Sequence, residues 1–450
     1  MQILSLDETS FMKLLRFEGL TPVERQTFTL HFAYSVIEGV LAGLIALNEF
    51  VFIKSLLGSG IQASLLFQFG TLVFILLIFF NETLSRINNR KGLLRKTAIL
   101  TRVPLLLLLF FPKSPEALTG DSMAHFAFLL IFLIYYLANP IVFPSINLLL
   151  KNSYSHANFG KLFSYATTAN RIVMMVTTFA YGWMLDRNPF FFVYAFPAAG
   201  ILGMVSIYLL TLIPSKETIS DNSSQGILHG IKSSIKSMTG VLKKNIPYRH
   251  FQTGFMFYGF GFMGSYTVII IFFEQALGLN YSSVAFYRNA YNLLAIAMLP
   301  FFGKLVGVMD PRRFAALSFF SMFVFILSLL LTNYFNSYVD VFNIRIYHTL
   351  LIYVFFHGIF AATMALIWSI GSAYFCSPGE AATYQSIHLG LTALRSVFAP
   401  VLGVLFFQMW GFTTAFAITM AALLTGTIIM LISEKKYPLQ KTEVVYENNS

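Results

Sequence analysis

The sequence predicts an all-α integral membrane protein, with twelve transmembrane helices in two pseudo-symmetric halves of six. Three observations carry that reading. The chain of 450 residues is 57% hydrophobic and only 11% charged, whereas soluble domains are about 45–50% apolar and about 25% charged. Twelve apolar runs follow one another between short polar loops. The pattern also repeats. GKLVGVMDPRR at 303–313 has a weaker twin, NETLSRINNRK, at 81–91, and each stands between two apolar runs.

Thr21-Pro22-Val23-Glu24 reads as a helix start, with a Thr cap, Pro in the first turn and Glu three residues on completing a capping box. It launches span 1, roughly 27–49, and Leu57-Gly58-Ser59-Gly60 turns the chain into span 2, roughly 62–80. Span 3, roughly 97–111, is short for the ~20 residues of a crossing, so part of Leu94–Thr97 extends it. Span 4 (123–148) contains Pro140 and Pro144, which spanning helices tolerate by re-satisfying the freed carbonyls locally. Spans 5 (162–184) and 6 (189–212) complete a half that runs from 27 to 213.

Residues 214–249 form a polar linker in which Ile227, Leu228, Ile231, Ile235, Met238, Val241 and Leu242 recur at helical spacing. That pattern fits an amphipathic helix in the membrane interface, or a solvated linker. Spans 7 to 12 cover roughly 251–273, 282–303, 314–332, 346–374, 384–408 and 412–433, within a second half of 250–433. The N-terminal segment 1–26 and the tail 434–450 fall on the linker's side of the membrane.

Charge placement assigns that side. Of 30 Lys and Arg, 22 lie in the segments of the linker's face, four in the opposite loops and four inside apolar runs. This is the positive-inside bias, which puts both termini in the cytoplasm. It also explains the net charge of +11 without nucleic acid. The lone Cys376 excludes an internal disulfide and a multi-thiolate metal site. No HExxH, nucleotide-binding loop or Cys/His cluster is present, so neither an enzyme, a cofactor nor a bound metal is expected.

The repeat extends beyond the loop. Gly39 and Leu57-Gly58 match Gly259 and Leu277-Gly278 at an offset of 220, and Ser164, Thr168 and Arg171 match His388, Thr392 and Arg395 at 224. Parallel six-helix halves are a transporter architecture with the substrate at their interface near the midplane.

With these residues in view, the chain resembles the major facilitator superfamily over about residues 20–435. That family's loop between spans 2 and 3 reads G-x-L-x-D-x-x-G-x-R followed by Arg or Lys. Gly303, Leu305, Arg312 and Arg313 match it; Gly307 replaces the acidic position, and Asp310 stands where the later Gly is usual. In the first half Arg86, Arg90 and Lys91 fit, while Asn81, Ser85 and Asn88 depart. The resemblance implies that the loop latches the halves by pairing with neighbouring helix ends. The missing acidic residue weakens that latch at both sites, with Asp310 the available substitute. Span 4 lacks an intramembrane Arg and span 5 a G-x-x-x-G-P pattern, which disfavours a typical multidrug antiporter.

Ionisable groups at bilayer depth cost ~2.5–3.5 kcal/mol on insertion scales and are functional candidates. Glu38, Arg171, Arg395 and His357 qualify by depth. Arg395 has no mid-membrane acid in its own half, so its counter-charge is Glu38, a bound anion, or only carbonyls and water. One reading makes Arg395 the ligand of an anionic or zwitterionic solute and Glu38 a protonatable switch. The other makes a static Glu38–Arg171 pair staple spans 1 and 5. His388 and Thr392 form a stripe with Arg395, as Ser164 and Thr168 do with Arg171. Asn139, Asn170, Tyr34, Tyr135, Tyr258 and Trp368 line a cavity or pack. Arg102 and Arg288 are expected to reach an interface by snorkelling, Arg288 with a functional alternative.

The function expected is secondary active transport of a small solute by alternating access, proton-coupled, by a monomer in a bacterial inner membrane. The alternatives are an exporter of hydrophobic or lipid-like compounds and a non-transporting receptor or scaffold on a transporter fold.

Overall fold

The computed structural model describes residues 20–73, 89–118, 122–214, 238–377 and 380–439. Span 1 is α1 (Pro22–Ile45) followed by α2 (Asn48–Lys54). Span 2 is described over α3 (Gly60–Leu72), and span 3 is α4 (Arg90–Arg102) tightening into a 3-10 helix at Val103–Phe110. Span 4 is α5 (Met123–Tyr136) and α6 (Asn139–Ser153), span 5 is α7 (His156–Arg187) and span 6 is α8 (Phe192–Thr211).

In the second half, span 7 is α9 (Ile246–Ile271) with a closing π turn, span 8 is α10 (Tyr281–Val308) and span 9 is α11 (Pro311–Thr332). Span 10 is α12 (His348–Ile370). Spans 11 and 12 are α13 (Ala381–Ser396) and α14 (Ala399–Lys436), divided inside α14 by Gly411 at φ 77 and ψ 179. Among the described residues, eight stretches are long and apolar enough to cross a membrane, one of which, Thr383–Lys436, holds both spans 11 and 12. The helix order accommodates all twelve expected crossings.

Two helix breaks have different causes. Span 4 breaks where Pro140 takes the first turn of α6, because proline cannot donate to the preceding turn and crowds it. Span 1 breaks at Ala46–Leu47 with no proline or glycine there, Leu47 turning to φ −105 and ψ 8. The break places Asn48 and Glu49 at the start of α2.

The capping box at Thr21 forms as expected, and Glu24 does more than cap. Its Oε1 accepts from the Ser155 amide (3.0 Å), the Ser155 hydroxyl (2.7 Å) and Asn158 Nδ2 (3.0 Å), fastening the start of span 1 to the start of span 5. Glu24→Ala removes the shared acceptor of these three bonds, although Ser155 is exposed and water takes over part of the loss. It is expected to cost about 1–2 kcal/mol, read as a lower melting temperature in detergent.

The signature loop holds each half together internally. Asp310 caps α11 by accepting from the Arg312 amide and pairs with the Arg312 guanidinium at 2.7 Å. Arg312, fully buried, donates to the Ser433 carbonyl (2.8 Å) and hydroxyl (3.1 Å) at the end of span 12. Lys91 does the same in the first half, donating to the Ile213 carbonyl at 2.8 Å beyond the end of span 6. The loop's basic residues therefore meet helix ends of their own half instead of latching the two halves together, and Lys91 makes a first-half contact that corresponds to that of Arg312. Arg313, Gly303 and Gly307 are exposed. Arg86 and the Arg90 side chain lie outside the described residues, as does the linker up to 237. Met238, Val241 and Leu242, which end the linker's apolar series, pack on the core.

One element departs from the all-α expectation. Between spans 9 and 10, β1 (Tyr338–Val341) pairs antiparallel with β2 (Ile344–Tyr347). The two-residue turn has both φ positive, Phe342 at 49° and Asn343 at 64°, the primed geometry that suits hairpin twist. Tyr287 of span 8 anchors the hairpin, donating to the Arg345 carbonyl (3.0 Å) and accepting from the Tyr347 amide (2.8 Å). Tyr347 in turn donates to the Leu277 carbonyl at 3.1 Å, in the turn between spans 7 and 8.

Candidate functional site

The two halves meet at the end opposite the basic loops. Asp186, at the end of span 5, accepts from the Tyr281 amide (2.7 Å) and the Ser282 amide (2.9 Å), capping span 8 of the other half. Lys54 donates to the Leu279 carbonyl at 2.5 Å, and the Ser55 and Tyr281 hydroxyls bond to each other. Gly182 permits the contact, since a Cβ there would stand 3.0 Å from the Tyr281 carbonyl.

Beneath this seam lies a polar cluster to which both halves contribute. Arg288 of span 8, half-buried, donates to the Tyr266 hydroxyl of span 7. The Tyr266 ring stacks on Phe67 of span 2 at 4.0 Å. Glu49, 7% exposed at the break of span 1, lies within Coulombic range of Arg288, and Tyr136 of span 4 is within range of both charges. Asn48 is fully buried, and neither of its amide atoms has a described partner. Gln68 Nε2 is likewise unpartnered.

His357 borders the cluster. Its ring lies between Tyr291 (3.7 Å, 8°) and Phe325 (4.5 Å, 11°), Arg288 is within Coulombic range, and its Nδ1 has no described partner.

The other candidates are distributed differently from the sequence expectation. Glu38 accepts from the Ser206 hydroxyl of span 6 at 2.6 Å. Arg102 is 3% exposed, donating to the Tyr135 carbonyl at 2.9 Å with its guanidinium 3.9 Å from the Tyr135 ring. It does not snorkel. Gly203 makes the room, because a Cβ there would come within 2.9 Å of the Arg102 side chain. Tyr34 is within Coulombic range of both Glu38 and Arg102, so the carboxylate belongs to a network internal to the first half. The expected Glu38–Arg171 staple is not formed: Arg171 and Thr168 are exposed.

Arg395 is 2% exposed and donates to the Phe255 carbonyl of span 7, in space that a Cβ at Gly259 would fill. The Tyr258 and Trp368 rings flank it at 5.7 Å. His388 bonds Gln252 at 3.1 Å, and Thr392 donates to the His388 carbonyl at 2.9 Å. The stripe His388–Thr392–Arg395 therefore faces span 7 within its own half. The repeat survives as backbone geometry. Gly39 admits the Asn170 carbonyl, 2.6 Å from where a Cβ would be, as Gly259 admits Arg395. Asn170 also donates to the Ser35 carbonyl at 2.9 Å, and Asn139 is half-buried at the break of span 4.

Sequence reasoning missed Asn48, Glu49, Gln68, Tyr136 and Tyr266. Two adjacent polar residues inside the apolar run 40–57 were the available signal, but a helix drawn to 49 made Glu49 an exit residue.

The structure resembles solved transporters. It matches the peptide transporter POT in complex with sulfate at a TM-score of 0.66 and 15% identity, covering 96% of this chain and 99% of that one. The nucleoside transporter NupG matches at 0.58 and 13%, covering 92% and 100%. The inward-open xylose transporter XylE from E. coli matches at 0.61 and 13%, covering 92% and 97%. Comparison of the sequence with curated proteins returns no significant match. The family description Major Facilitator Superfamily matches residues 27–344. With that match over most of its length and a helix order that accommodates twelve crossings, the chain belongs to the major facilitator superfamily and is a membrane transporter.

Proposed function

We propose that the protein is a secondary active transporter that carries a small anionic or zwitterionic solute by alternating access, coupled to protons. One observation carries the reading. A guanidinium from one half (Arg288) and a carboxylate from the other (Glu49) lie within Coulombic range of each other where the halves meet, beside the hydroxyls of Tyr136 and Tyr266. A solute carboxylate or phosphate suits the planar guanidinium, and a solute ammonium suits Glu49. Because the two charges belong to different halves, rocking the halves separates them and changes the affinity for the solute. That differential affinity is what alternating access requires. Protonation of Glu49 removes its charge and gives the cycle a proton-dependent step. Closure at the hairpin end supports an inward-facing state, given the basic loops on the cytoplasmic side. In this reading Glu38 and Arg395 hold their own bundles together, while Arg288 and Glu49 take the solute.

The test is thermal stabilisation of the purified protein by a small-molecule library, since a ligand that binds only the folded state raises the melting temperature by mass action. Anionic or zwitterionic compounds are expected to stabilise the wild type. Arg288→Ala is expected to weaken them by about 30-fold or more, and Glu49→Gln to flatten the pH dependence of binding. If Arg288→Ala binds them as the wild type does, the charged-solute reading fails. If only apolar amphiphiles stabilise, the aromatic box around His357 becomes the site of a hydrophobic exporter.

A further inference from the structure

Spans 3 and 6 enclose a groove of about 370 Å³ lined by Arg95, Ala98, Ile99, Met204, Val205 and Tyr208. Its origin lies in how the two helices approach. At Gly200 and Gly203 span 6 touches span 3, a Cβ at either position coming within 2.9 Å of Arg102 atoms. From there toward the basic loops span 6 carries no further glycine. Met204 and Tyr208 hold the helices apart, and Ala98 opposite them is too small to close the gap. Ile99 (56%), Val205 (44%) and Tyr208 (48%) are exposed at the groove, in a part of the chain expected to face lipid.

The mouth of the groove is charged. Arg95 Nε donates to the Thr211 hydroxyl at 3.1 Å and the guanidinium lies 5.3 Å from the Tyr208 ring, so Arg95 is fixed across the end nearest the basic loops. Its two terminal nitrogens have no described partner. Residues 89–96 hold four basic side chains and no acidic one. Of these, Lys91 is committed to the Ile213 carbonyl, whereas Lys96 beside Arg95 is exposed.

We propose that this groove is a specific site for an anionic phospholipid, with its phosphate on Arg95 and one acyl chain between spans 3 and 6. The chain cannot supply the selectivity, because bilayer and groove are equally apolar to it. Selection must come from the headgroup, and a guanidinium offers a phosphate paired donors. Arg95 lies five residues into α4, about 7 Å along the axis, a depth that suits a headgroup above and a chain below. The site stands on the outer face of the first half, away from the cluster between the halves, and does not depend on what is transported.

The experiment compares melting temperature and lipid retained in native mass spectrometry for the delipidated protein with phosphatidylglycerol, phosphatidylcholine or soluble glycerol phosphate. Phosphatidylglycerol is expected to stabilise more than phosphatidylcholine, and glycerol phosphate to do nothing at matched concentration. Arg95→Gln is expected to lower the preference about fivefold, the effect of one basic residue on an anionic lipid. Val205→Trp, at an exposed position that leaves the fold intact, fills the groove and is expected to remove the retained lipid. Equal stabilisation by the two lipids, or a preference untouched by both variants, overturns the proposal. Stabilisation by glycerol phosphate alone overturns it too, in favour of a soluble phosphate.

Discussion

Arg312→Ala is expected to destabilise the protein by about 3–5 kcal/mol, the range for breaking a buried ion pair and stranding its partner. Arg312 is fully buried, and its guanidinium simultaneously meets Asp310 at 2.7 Å and the Ser433 carbonyl at 2.8 Å. Removing it frees the end of span 12 from the start of span 9 and leaves Asp310, 15% exposed, without its counter-charge. The neighbouring Arg313 is exposed, and Arg313→Ala is expected to lie within about 0.5 kcal/mol of the wild type. Thermal unfolding of the two variants in detergent separates a structural clamp from a generally basic loop. Equal melting temperatures contradict the clamp.

Asp186→Ala is expected to shift the protein toward the state open at the hairpin end. The carboxylate accepts two backbone amides at the first turn of span 8, at 2.7 and 2.9 Å, across the seam between the halves. Such charge-assisted bonds at a helix N-terminus are strong for their size. Asp186 is half-buried, so water takes over part of the loss. The net change is about 1–2 kcal/mol, a factor of about 5–30 between the closed and open populations. Spin labels at Lys113→Cys and Asn336→Cys, in a Cys376→Ser background that removes the single native thiol, read the opening as a longer distance. An unchanged distance distribution shows that Lys54, Ser55 and Gly182 hold the seam without Asp186.

The fold was legible because its signals are large. Apolar runs, the charge bias and the repeated loop each report on the bilayer, a uniform solvent that imposes uniform rules. The capping box at Thr21 was legible for a local reason, since its four residues satisfy one another. The loop chemistry was legible in residue type but not in partner. Nothing around Asp310 and Arg312 in the sequence points to Ser433, 121 positions away from Arg312.

The site was harder to find for two reasons. Depth counted from helix ends singles out Glu38 and Arg395, but it says nothing of azimuth. Both turn inward to their own bundles through Ser206 and the Phe255 carbonyl. Glu49 was missed because the break at Leu47 has no proline or glycine to announce it. The hairpin was hidden by its turn, Phe342-Asn343, which lacks the glycine that usually marks positive φ.

That hairpin bears on the mechanics of the cycle. Its strands are tied through Tyr287 to span 8 and through Tyr347 to the turn after span 7, while its ends continue directly into spans 9 and 10. Four of the second half's six helices are thus braced by one small sheet at a single rim. A braced rim cannot peel away helix by helix; it turns as one plate. Force applied at Asp186 or Lys54 is therefore delivered to the whole plate, and Arg288, two turns down span 8 from Tyr281, travels with it. In the proposed cycle the hairpin is a crossbeam that couples opening at the surface to displacement of the half-buried Arg288 guanidinium.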